Sequence, residues 1–406
     1  MKILAFNAGS ISIKYRLFDM ADQSVLVAGF LDGIGRKESR LKHLRRNAEG
    51  GFNEHIYTEA AADHQDGFRI IKDFLSDPDK GWDLTDVIGI GHRVVHGGEA
   101  FQEPALIKDE VISDIKAMIP LAPLHNPASL LGVQAARDLY PNVPQVAVFD
   151  TAFHQRIPPH AFHYAVSHDI YHRYQVRRYG FHGISYQYVA KQAAAKLNRP
   201  LEDLNIITLH LGNGASAAAI QAGRSIDTSM GMTPLEGLVM GTRCGDLDPA
   251  IPGYLAREMG KTSEDIDALL EHQSGLLGLC GTSDMRELVS RAGSGDPGSS
   301  LALDMFCYRV KKYIGAYFAA LGGADVVVFT GGIGENSPNV RRGCLQGLTC
   351  LGIEMDEGRN QDRIDGPTEI QSDRSKVKVL VVPTNEELQI ATETMECIQG
   401  KICERK

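Results

Sequence analysis

Three short stretches rich in glycine and small polar residues each follow an apolar run, and this pattern suits phosphate binding. They read NAGSISIK (7–14), HLGNGAS (210–216) and TGGIGEN (330–336). Glycine lets backbone N–H groups approach phosphate oxygens closely, and such turns form concave anion-binding sites. A single turn of this kind is often only a tight connection between strands, since Asn, Gly and Ser all favour turns. Three such turns at strand ends favour the binding of a nucleotide.

The two best-known nucleotide motifs are absent from the sequence. No GxxxxGK[ST] pattern occurs, which excludes a Walker P-loop. No GxGxxG follows a first strand, which excludes a standard Rossmann domain.

The strands that must position these turns occur in two similar sets. Apolar runs on both sides of NAGSISIK predict a β-hairpin, and IITLHLGNGASAAAIQAGRSID, from Ile206, repeats that plan half the chain later. The stretches 86–99 and 325–336 then both run from Asp through an apolar strand into a Gly-Gly turn. The sequence therefore predicts a duplicated α/β architecture with two similar halves facing a cleft.

Further helices and strands are predicted between and after the two hairpins. SYQYVAKQAAAKLN (185–198) has helical apolar spacing with Ser185 as the expected N-cap, and 299–323 predicts a long helix ending at Gly322. VAVFD (146–150) and VKVLVVP (377–383) predict strands followed by polar residues. In open α/β sheets, ligands bind outside the carboxyl ends of the strands.

Composition limits the class of protein. A chain of 406 residues predicts two domains of about 200 residues each. The seven cysteines all follow residue 243 without a CxxC pair, which indicates neither a disulfide framework nor a zinc site. No signal peptide fits the N-terminus and no apolar run reaches transmembrane length. We therefore expect a reduced, cytoplasmic protein that does not act at a membrane.

The charge balance gives no support to a nucleic-acid function, because the net charge is −9. One cluster of basic residues occurs in this acidic chain, and no aromatic residues lie between its members. We interpret it as a solvated loop or helix face. Its members are Arg36, Lys37, Arg40, Lys42, Arg45 and Arg46.

A series of motifs resembles, in the same order, those of the acetate kinase family in the superfamily of actin, sugar kinases and heat-shock ATPases. They read NAGSISIK, GHRVVHGGE, PLHNP, FDTAFH, RRYGFHG, HLGNG, TSMGMTPLEGLVMGTRCGDLDP, TSDMRE, GGIGEN and PTNEE. The resemblance implies reversible, magnesium-dependent phosphoryl transfer from ATP to acetate, giving acetyl phosphate and ADP by direct in-line transfer. Mn²⁺ is an alternative to Mg²⁺, and a homodimer is implied.

The resemblance also implies duplicated ribonuclease H-like, or actin-like, domains facing a catalytic cleft. The N-terminal half is expected at 1–150 on the acyl-substrate side, with part of the tail 385–406 packing back on it. The half on the nucleotide side is expected at 151–384.

Four residues match the catalytic positions of the family: Arg93, Asp150, His182 and Arg243. Guanidinium groups can bind two oxygens of a planar phosphoryl group, which suits Arg93 and Arg243. The family assigns His182 to stabilisation of the transferring group, and Asp150 to acid–base chemistry. Because acetate is already ionised at neutral pH, we interpret Asp150 as positioning magnesium or substrate electrostatically.

The metal ligands implied by the resemblance are Asn7 and Glu386, with Glu387 replacing Glu386 if the register differs by one residue. The positions matching nucleotide contacts lie in the three glycine-rich stretches and in TSDMRE. They are Ser10, Ser12, Lys14, His210, Leu211, Gly212, Asn213, Gly214, Asp284, Met285, Arg286, Gly331, Gly332, Ile333, Gly334, Glu335 and Asn336.

The acyl-binding positions implied by the resemblance are Arg93, Val95, Leu124, His125, Phe181 and Pro234. His125 fits either a structural role or one in substrate fit. Relatives that prefer propionate tend to have a smaller residue in place of the valine, so Val95 favours acetate. Propionate is expected to be a poorer substrate, since one methylene contributes only about 1–3 kcal/mol.

Two departures from the family pattern occur. Ile11 replaces the middle one of three serines, and strand alternation is expected to turn it away from Ser10 and Ser12. Tyr186 stands where the family often has histidine, and we expect it to affect helix entry rather than chemistry. A propionate kinase is the alternative within the family. An actin-like or chaperone-type ATPase, without an acyl pocket, is the alternative from another class.

Overall fold

A computed structural model describes residues 1–9, 11–82, 84–123 and 125–403. The chain divides into two units, Met1–Gln155 with Asn385–Lys406, and Arg156–Thr384. We call them unit 1 and unit 2. Among the described residues, no helix has both the length and the apolar character needed to cross a membrane.

The strands are numbered in chain order. They are β1 (Lys2–Ala8), β2 (Ser12–Asp19), β3 (Ser24–Asp32), β4 (Ser39–Arg46), β5 (Phe52–Glu59), β6 (Val87–Val94), β7 (Ala105–Leu106), β8 (Gln145–Phe149), β9 (Asn205–Leu211), β10 (Ala215–Gln221), β11 (Arg224–Thr228), β12 (Val326–Thr330), β13 (Thr368–Glu369) and β14 (Lys378–Val381).

The α-helices are numbered in the same way. They are α1 (His64–Ser76), α2 (Asp109–Ala117), α3 (Asn126–Leu139), α4 (Pro159–Phe162), α5 (His168–Tyr174), α6 (Gly183–Leu197), α7 (Ala250–Met259), α8 (Ser263–His272), α9 (Gly275–Cys280), α10 (Met285–Gly293), α11 (Pro297–Ala320), α12 (Gly331–Asn336), α13 (Pro338–Leu345), α14 (Glu357–Gln361) and α15 (Glu386–Ile398).

Each unit is built on one mixed β-sheet, and the two sheets share a plan. The strand order is β5-β4-β3-β2-β1-β6-β8-β7 in unit 1 and β11-β10-β9-β12-β14-β13 in unit 2. In both, an antiparallel hairpin (β1–β2, β9–β10) is followed by a parallel neighbour of its first strand (β6, β12). The predicted hairpins and the predicted duplication are confirmed.

The unit 1 sheet is covered on both faces. Side chains of β1 and β2 such as Phe6 and Leu17 join Phe68 of α1 in one buried cluster. On the opposite face α15 lies so close that a Cβ at Gly91 would come within 2.2 Å of Oγ1 of Thr394. Glycine at this position therefore allows the C-terminal helix to pack against β6, which brings residues near 386 to the end of β1.

The basic cluster lies mostly in a strand, and the interpretation as a loop or helix face is wrong for that part, while Arg36 and Lys37 lie in the preceding loop. Four of its members, Arg40, Lys42, Arg45 and Arg46, lie in β4, which pairs with β3 and β5. Along β4, Ser39, Leu41 and His43 are buried, while Arg40 and Lys42 are exposed. Buried and exposed positions alternate as in any half-buried strand. Because two of the three buried residues, Ser39 and His43, are polar, the alternation of apolar and polar residues is weak in the sequence.

The expected N-cap of the helix after residue 182 is also corrected. Helix α6 begins at Gly183, and its N-cap is His182, whose backbone is in the left-handed region with φ of 59°. Ser185 is buried within the first turn, where its hydroxyl contacts Nδ1 of His210 (2.9 Å). The long helix predicted at 299–323 is confirmed as α11, with Gly322 past its end.

Cys397 and Cys403 are brought close together at the end of α15, with their Cα atoms 4.7 Å apart. Helix α15 ends at Ile398, and Gly400, with φ of 70°, turns the chain back so that Cys403 returns to Cys397. The other five cysteines are free.

Candidate active site

Five side chains of unit 1 meet where the carboxyl ends of three strands approach the start of α15. Asn7 lies in β1, Arg93 in β6, and Asp150 directly after β8. Glu386 and Glu387 form the first turn of α15, which Asn385 caps by accepting a hydrogen bond from the Leu388 N–H. The cap places two carboxylates at a helix N-terminus, where negative charge is stabilised. We call these five residues the Arg93 cluster.

Arg93 is held from two sides. Its Nε donates to Oδ2 of Asp150 (3.0 Å), as does Nη2, and its Nη1 donates to Oδ1 of Asn7 (3.0 Å). Asp150 is buried, with 1% of its surface exposed. Burial alone would lower the pKa of Arg93, but the charges of Asp150 and Glu386 raise it above its ordinary value. The guanidinium is therefore a fixed, permanently charged group.

The two glutamates are linked to this arginine through Asn7. The amide nitrogen of Asn7 donates to Glu386 Oε2 and to Glu387 Oε1, both at 3.4 Å. The pKa of Glu386 is raised to about 7, mainly by burial; the charge of Arg93 opposes this shift, and the charges of Asp150 and Glu387 add to it. Arg16, whose Nη1 lies 3.8 Å from Glu387 Oε2, and Lys14 bring further positive charge to these carboxylates.

The donor set of the Arg93 cluster fits a magnesium ion. Carboxylate and amide oxygens are the ligands that Mg²⁺ prefers, and a raised carboxyl pKa marks a place where a further cation is favourable. Among the described residues, no group of three His, Cys, Asp or Glu side chains is arranged to hold a metal. Mg²⁺ usually takes one or two protein carboxylates and completes its shell with water and substrate phosphate.

The β1–β2 turn carries the other predicted unit 1 residues. The backbone N–H of Gly9 donates to the Ser12 carbonyl (2.8 Å), and the ring of His64, which no sequence motif singled out, contacts the Gly9 carbonyl (2.7 Å). Lys14 lies opposite Asn7 in the hairpin. Ser10 lies outside the described residues. Ile11 is exposed and precedes β2, so the strand-alternation argument does not apply to it.

In unit 2 the predicted histidine belongs to a buried hydrogen-bonded chain. Nδ1 of His182 contacts Oγ of Ser216 (2.8 Å), and Ser216 contacts the hydroxyl of Tyr186. The His182 ring stacks on His210 with centroids 4.2 Å apart. Tyr186 is therefore linked to His182 through Ser216, in addition to its place near the start of α6. Because its contact with Ser216 spans 30 residues, no local pattern could have shown it.

The direction of this chain sets the tautomer of His182. Burial raises the pKa of the Tyr186 phenol, which also accepts the backbone N–H of His210. The phenol therefore keeps its proton, and either hydroxyl can donate in the contact between Tyr186 and Ser216. In the arrangement where Ser216 donates to Nδ1 of His182, Nε2 carries the ring proton and can act as a hydrogen-bond donor.

Arg243 lies beside the same glycine-rich turn. A Cβ at Gly214 would lie 3.5 Å from Nη1 of Arg243 and 3.7 Å from Nε2 of His182, so both side chains border this glycine. The N–H of Gly241 donates to the Asn213 carbonyl (3.0 Å), which attaches the Arg243 loop to the turn. Burial lowers the pKa of Arg243, and Glu271, 3.8 Å from its Nε, opposes that shift.

A cavity of about 680 Å³ in unit 2 brings three predicted stretches together. Its lining includes residues from HLGNG, TSDMRE and GGIGEN, namely Gly212, Asn213, Asp284, Met285, Arg286, Gly332, Ile333 and Asn336. Asp284 caps α10 and pairs with the exposed Arg286. The volume suits a nucleoside, and two glycines in the wall admit a flat ring.

Some predicted nucleotide residues support this cavity without lining it. The carboxylate of Glu335 accepts hydrogen bonds from the N–H groups of Gly331 and Thr384, both at 3.0 Å, and so is occupied within the protein. Gly331 has φ of 78°, and a Cβ there would lie 2.7 Å from the Leu211 carbonyl. The remaining predicted residues outside the lining are His210, Leu211, Gly214 and Gly334.

The predicted acyl-binding residues are divided between the two units. Val95 is buried in unit 1, and His125 caps α3 there. Phe181 is buried in unit 2, which also contains Pro234. Leu124 lies outside the described residues.

Comparison with known proteins decides the family. The sequence model of the Acetokinase family matches residues 2–392. The chain belongs to this family. It is 53% identical over 404 residues to an acetate kinase of Syntrophobacter fumaroxidans, covering 98% of this chain and 97% of that protein. The acetate kinase of Thermotoga maritima is 48% identical over 404 residues, with 98% and 99% covered.

Solved structures agree with this membership. The crystal structure of Porphyromonas gingivalis acetate kinase has a TM-score of 0.91 at 42% identity, covering 98% of this chain and 99% of that one. A propionate kinase from Francisella tularensis has a TM-score of 0.90 at 42% identity, with 97% and 99% covered. The family predicted from the sequence is thereby confirmed, and the duplicated α/β chain has the fold of acetate kinase structures.

Asp150→Asn should lower kcat by about 10²-fold, because a small misplacement of a catalytic group has an effect of that size. The Asp150 carboxylate accepts hydrogen bonds from two N–H groups of Arg93, and a neutral amide at this position cannot balance the positive charge of the guanidinium. Steady-state rates across pH and magnesium concentration test this. We expect a raised magnesium requirement and little response to pH. Recovery at high pH or with added small bases, at normal magnesium dependence, would instead establish Asp150 as a general base.

Tyr186→Phe should lower kcat by up to about tenfold with little change in the KM for ATP, since it removes one net hydrogen bond from the chain that orients His182. The exposed Tyr254→Phe is the matched control. A shift of the ring-nitrogen NMR signals of His182 would show that its tautomer has changed. If kcat and the NMR signals of His182 are both unchanged, the Tyr186 hydroxyl does not orient His182, and the side chain contributes only to packing.

Proposed function

We propose that the protein is a cytoplasmic acetate kinase that transfers the terminal phosphoryl group of ATP reversibly to acetate, giving acetyl phosphate and ADP. The observation that carries the proposal is the Arg93 cluster, found in a chain that matches acetate kinases along nearly its whole length. The acyl side is assigned to unit 1 and the nucleotide to unit 2.

The arrangement suits an acceptor that needs no deprotonation. Acetate is ionised at neutral pH, so the carboxylate oxygen attacks the phosphorus directly. The main obstacle is the crowding of negative charge, which Arg93, Arg243 and the Nε2 proton of His182 would offset. Asp150 and Asn7 fix the plane of the Arg93 guanidinium, which is a requirement for bidentate binding.

Magnesium, when bound, would neutralise charge on the ATP phosphates. Glu386 and Asn7 would hold it, with Glu387 as the neighbouring carboxylate. Ser12 and Lys14 of the hairpin are assigned to the phosphates. The cavity lined by Gly212, Asp284 and Ile333 is assigned to the adenosine part of ATP.

A hydroxamate assay with acetate, ATP and Mg²⁺ tests the proposal directly. Formation of acetyl hydroxamate that depends on all three supports it. Steady ATP hydrolysis without acetyl phosphate would instead favour an actin-like or chaperone-type ATPase.

A propionate kinase is the second candidate, because one of the similar solved structures is a propionate kinase. Val95 is buried, and in the proposed site its isopropyl group would occupy space that a longer acyl chain requires, which favours acetate. The ratio of kcat/KM for acetate and propionate separates the two. Val95→Ala should move that ratio towards propionate by roughly tenfold.

A homodimer is proposed through α11. Leu301, Met305 and Tyr308 stand at helical spacing on this helix and expose 57%, 38% and 63% of their surfaces. An exposed apolar stripe of this kind is typical of an interface. Light scattering should show a dimer for the native chain, and Leu301→Glu with Tyr308→Glu should give a folded monomer. A native monomer at micromolar concentration would contradict the proposal.

A further inference from the structure

Two exposed histidines on α5 form a close pair that the proposed reaction does not use. The sequence HDIYH (168–172) places them four residues apart, on one face of the helix. Nδ1 of His168 lies 3.1 Å from Nε2 of His172. Their rings are stacked, with centroids 5.1 Å apart and an interplanar angle of 25°.

This nitrogen–nitrogen distance fits two ligands of one metal ion. Two nitrogens each about 2.0–2.1 Å from a metal lie about 2.9 Å apart at a right angle and about 3.4 Å apart at the tetrahedral angle. The distance in the protein falls between these values. Without metal, an N–H of one ring faces the nitrogen of the other. When metal binds, that ring takes its other tautomer, so that both facing nitrogens present lone pairs.

The surroundings keep the short helix in place. The Tyr171 ring packs edge-on against His163, with centroids 4.6 Å apart. The Phe162 ring also lies against Tyr171, with centroids 6.1 Å apart, and the His163 ring lies 5.5 Å from that of His168. These ring contacts hold α5 in place, while His168 and His172 remain exposed.

The chemistry of the pair selects the kind of ion. Imidazole suits copper, nickel and zinc, whereas Mg²⁺ prefers oxygen ligands. Within the described part of the chain, no third His, Cys, Asp or Glu is placed to complete a three-residue group. Water or buffer ligands would therefore fill the remaining positions.

We propose that His168 and His172 form a binding site for a borderline transition-metal ion, Cu²⁺ above all, distinct from the magnesium-dependent chemistry. Affinity is expected to follow the order Cu²⁺ > Ni²⁺ > Co²⁺, because the same two imidazoles serve each ion. Mg²⁺ is not expected to compete.

Titration of the untagged full chain with Cu²⁺ in excess Mg²⁺, followed by electron paramagnetic resonance, tests the site. We expect one site with hyperfine coupling to two imidazole nitrogens. Loss of an outer-shell partner of a metal ligand already lowers affinity about 10–100-fold, so His168→Ala and His172→Ala should each weaken Cu²⁺ binding at least tenfold. His272→Ala, which removes an exposed histidine from α8, should change nothing.

The double variant His168→Ala, His172→Ala decides the matter. It should lose the two-nitrogen signal while keeping the native circular dichroism spectrum and the native rate without copper. An unchanged Cu²⁺ affinity and spectrum in a folded double variant would overturn the proposal. Displacement of Cu²⁺ by Mg²⁺ at millimolar concentration would also overturn it.

Discussion

Arg93→Ala is expected to lower kcat by about 10³- to 10⁵-fold, the range that a phosphate-stabilising arginine contributes in phosphoryl transfer. Arg93 is held by Asp150 and Asn7, so its guanidinium is oriented before substrate binds. Arg93→Lys should recover only part of the rate, because an ammonium group cannot reproduce the planar fork. Arg40→Ala, which removes an exposed arginine of the same unit, is the control for net charge.

Stability has to be separated from catalysis in this variant. Removing Arg93 leaves the buried Asp150 without its cation, and breaking such a pair costs about 3–5 kcal/mol of folding free energy. The double variant Arg93→Ala, Asp150→Ala should recover much of that loss in urea denaturation without recovering kcat. A folded single variant with kcat within tenfold of the native value would remove Arg93 from the mechanism.

The parts of the fold that could be predicted are those with a strong local pattern. The hairpins β1–β2 and β9–β10 each place apolar residues on both sides of a glycine-containing turn. Their separation by half the chain indicated the duplication. The outer strand β4 was missed because its inward positions are Ser39, Leu41 and His43, which weakens the alternation of apolar residues.

Contacts between distant residues could not be predicted from the same patterns. Asn7 and Glu386 are 379 positions apart and meet only because α15 packs on the sheet of unit 1. Nothing in the local sequence of either residue specifies that packing. The resemblance to a family supplied the pair, and the structure supplied the reason, which is the close approach of α15 to Gly91.

The link from Tyr186 to His182 shows a second limit. Substitution of the usual family histidine by tyrosine was visible in the sequence, but its partner, Ser216, lies on β10. Only the folded unit 2 places that hydroxyl between the two rings. A departure from a family pattern therefore shows which position differs, but it does not show which residue the new side chain contacts in the folded protein.

Arg243→Ala should also lower kcat by about 10³- to 10⁵-fold, for a related reason and with a different effect on stability. The half-buried side chain of Arg243 has its Nε 3.8 Å from Glu271 and its Nη1 4.0 Å from Sδ of Met240. Within the described residues no carboxylate pairs with it as closely as Asp150 pairs with Arg93. Its N–H groups are therefore available to an incoming phosphate.

Because no buried carboxylate among the described residues depends on Arg243, the alanine variant should keep nearly native stability while losing activity, unlike Arg93→Ala. Guanidinium ions added at non-denaturing concentration should restore part of the rate, since they can enter the space that the side chain leaves. Arg286→Ala, at an exposed edge of the cavity proposed for the nucleotide, is the matched control and should change the KM for ATP more than kcat. If Arg243→Ala instead raises only the KM for ATP, Arg243 stabilises the bound substrate and the transition state equally, and it has no specific role in the transition state.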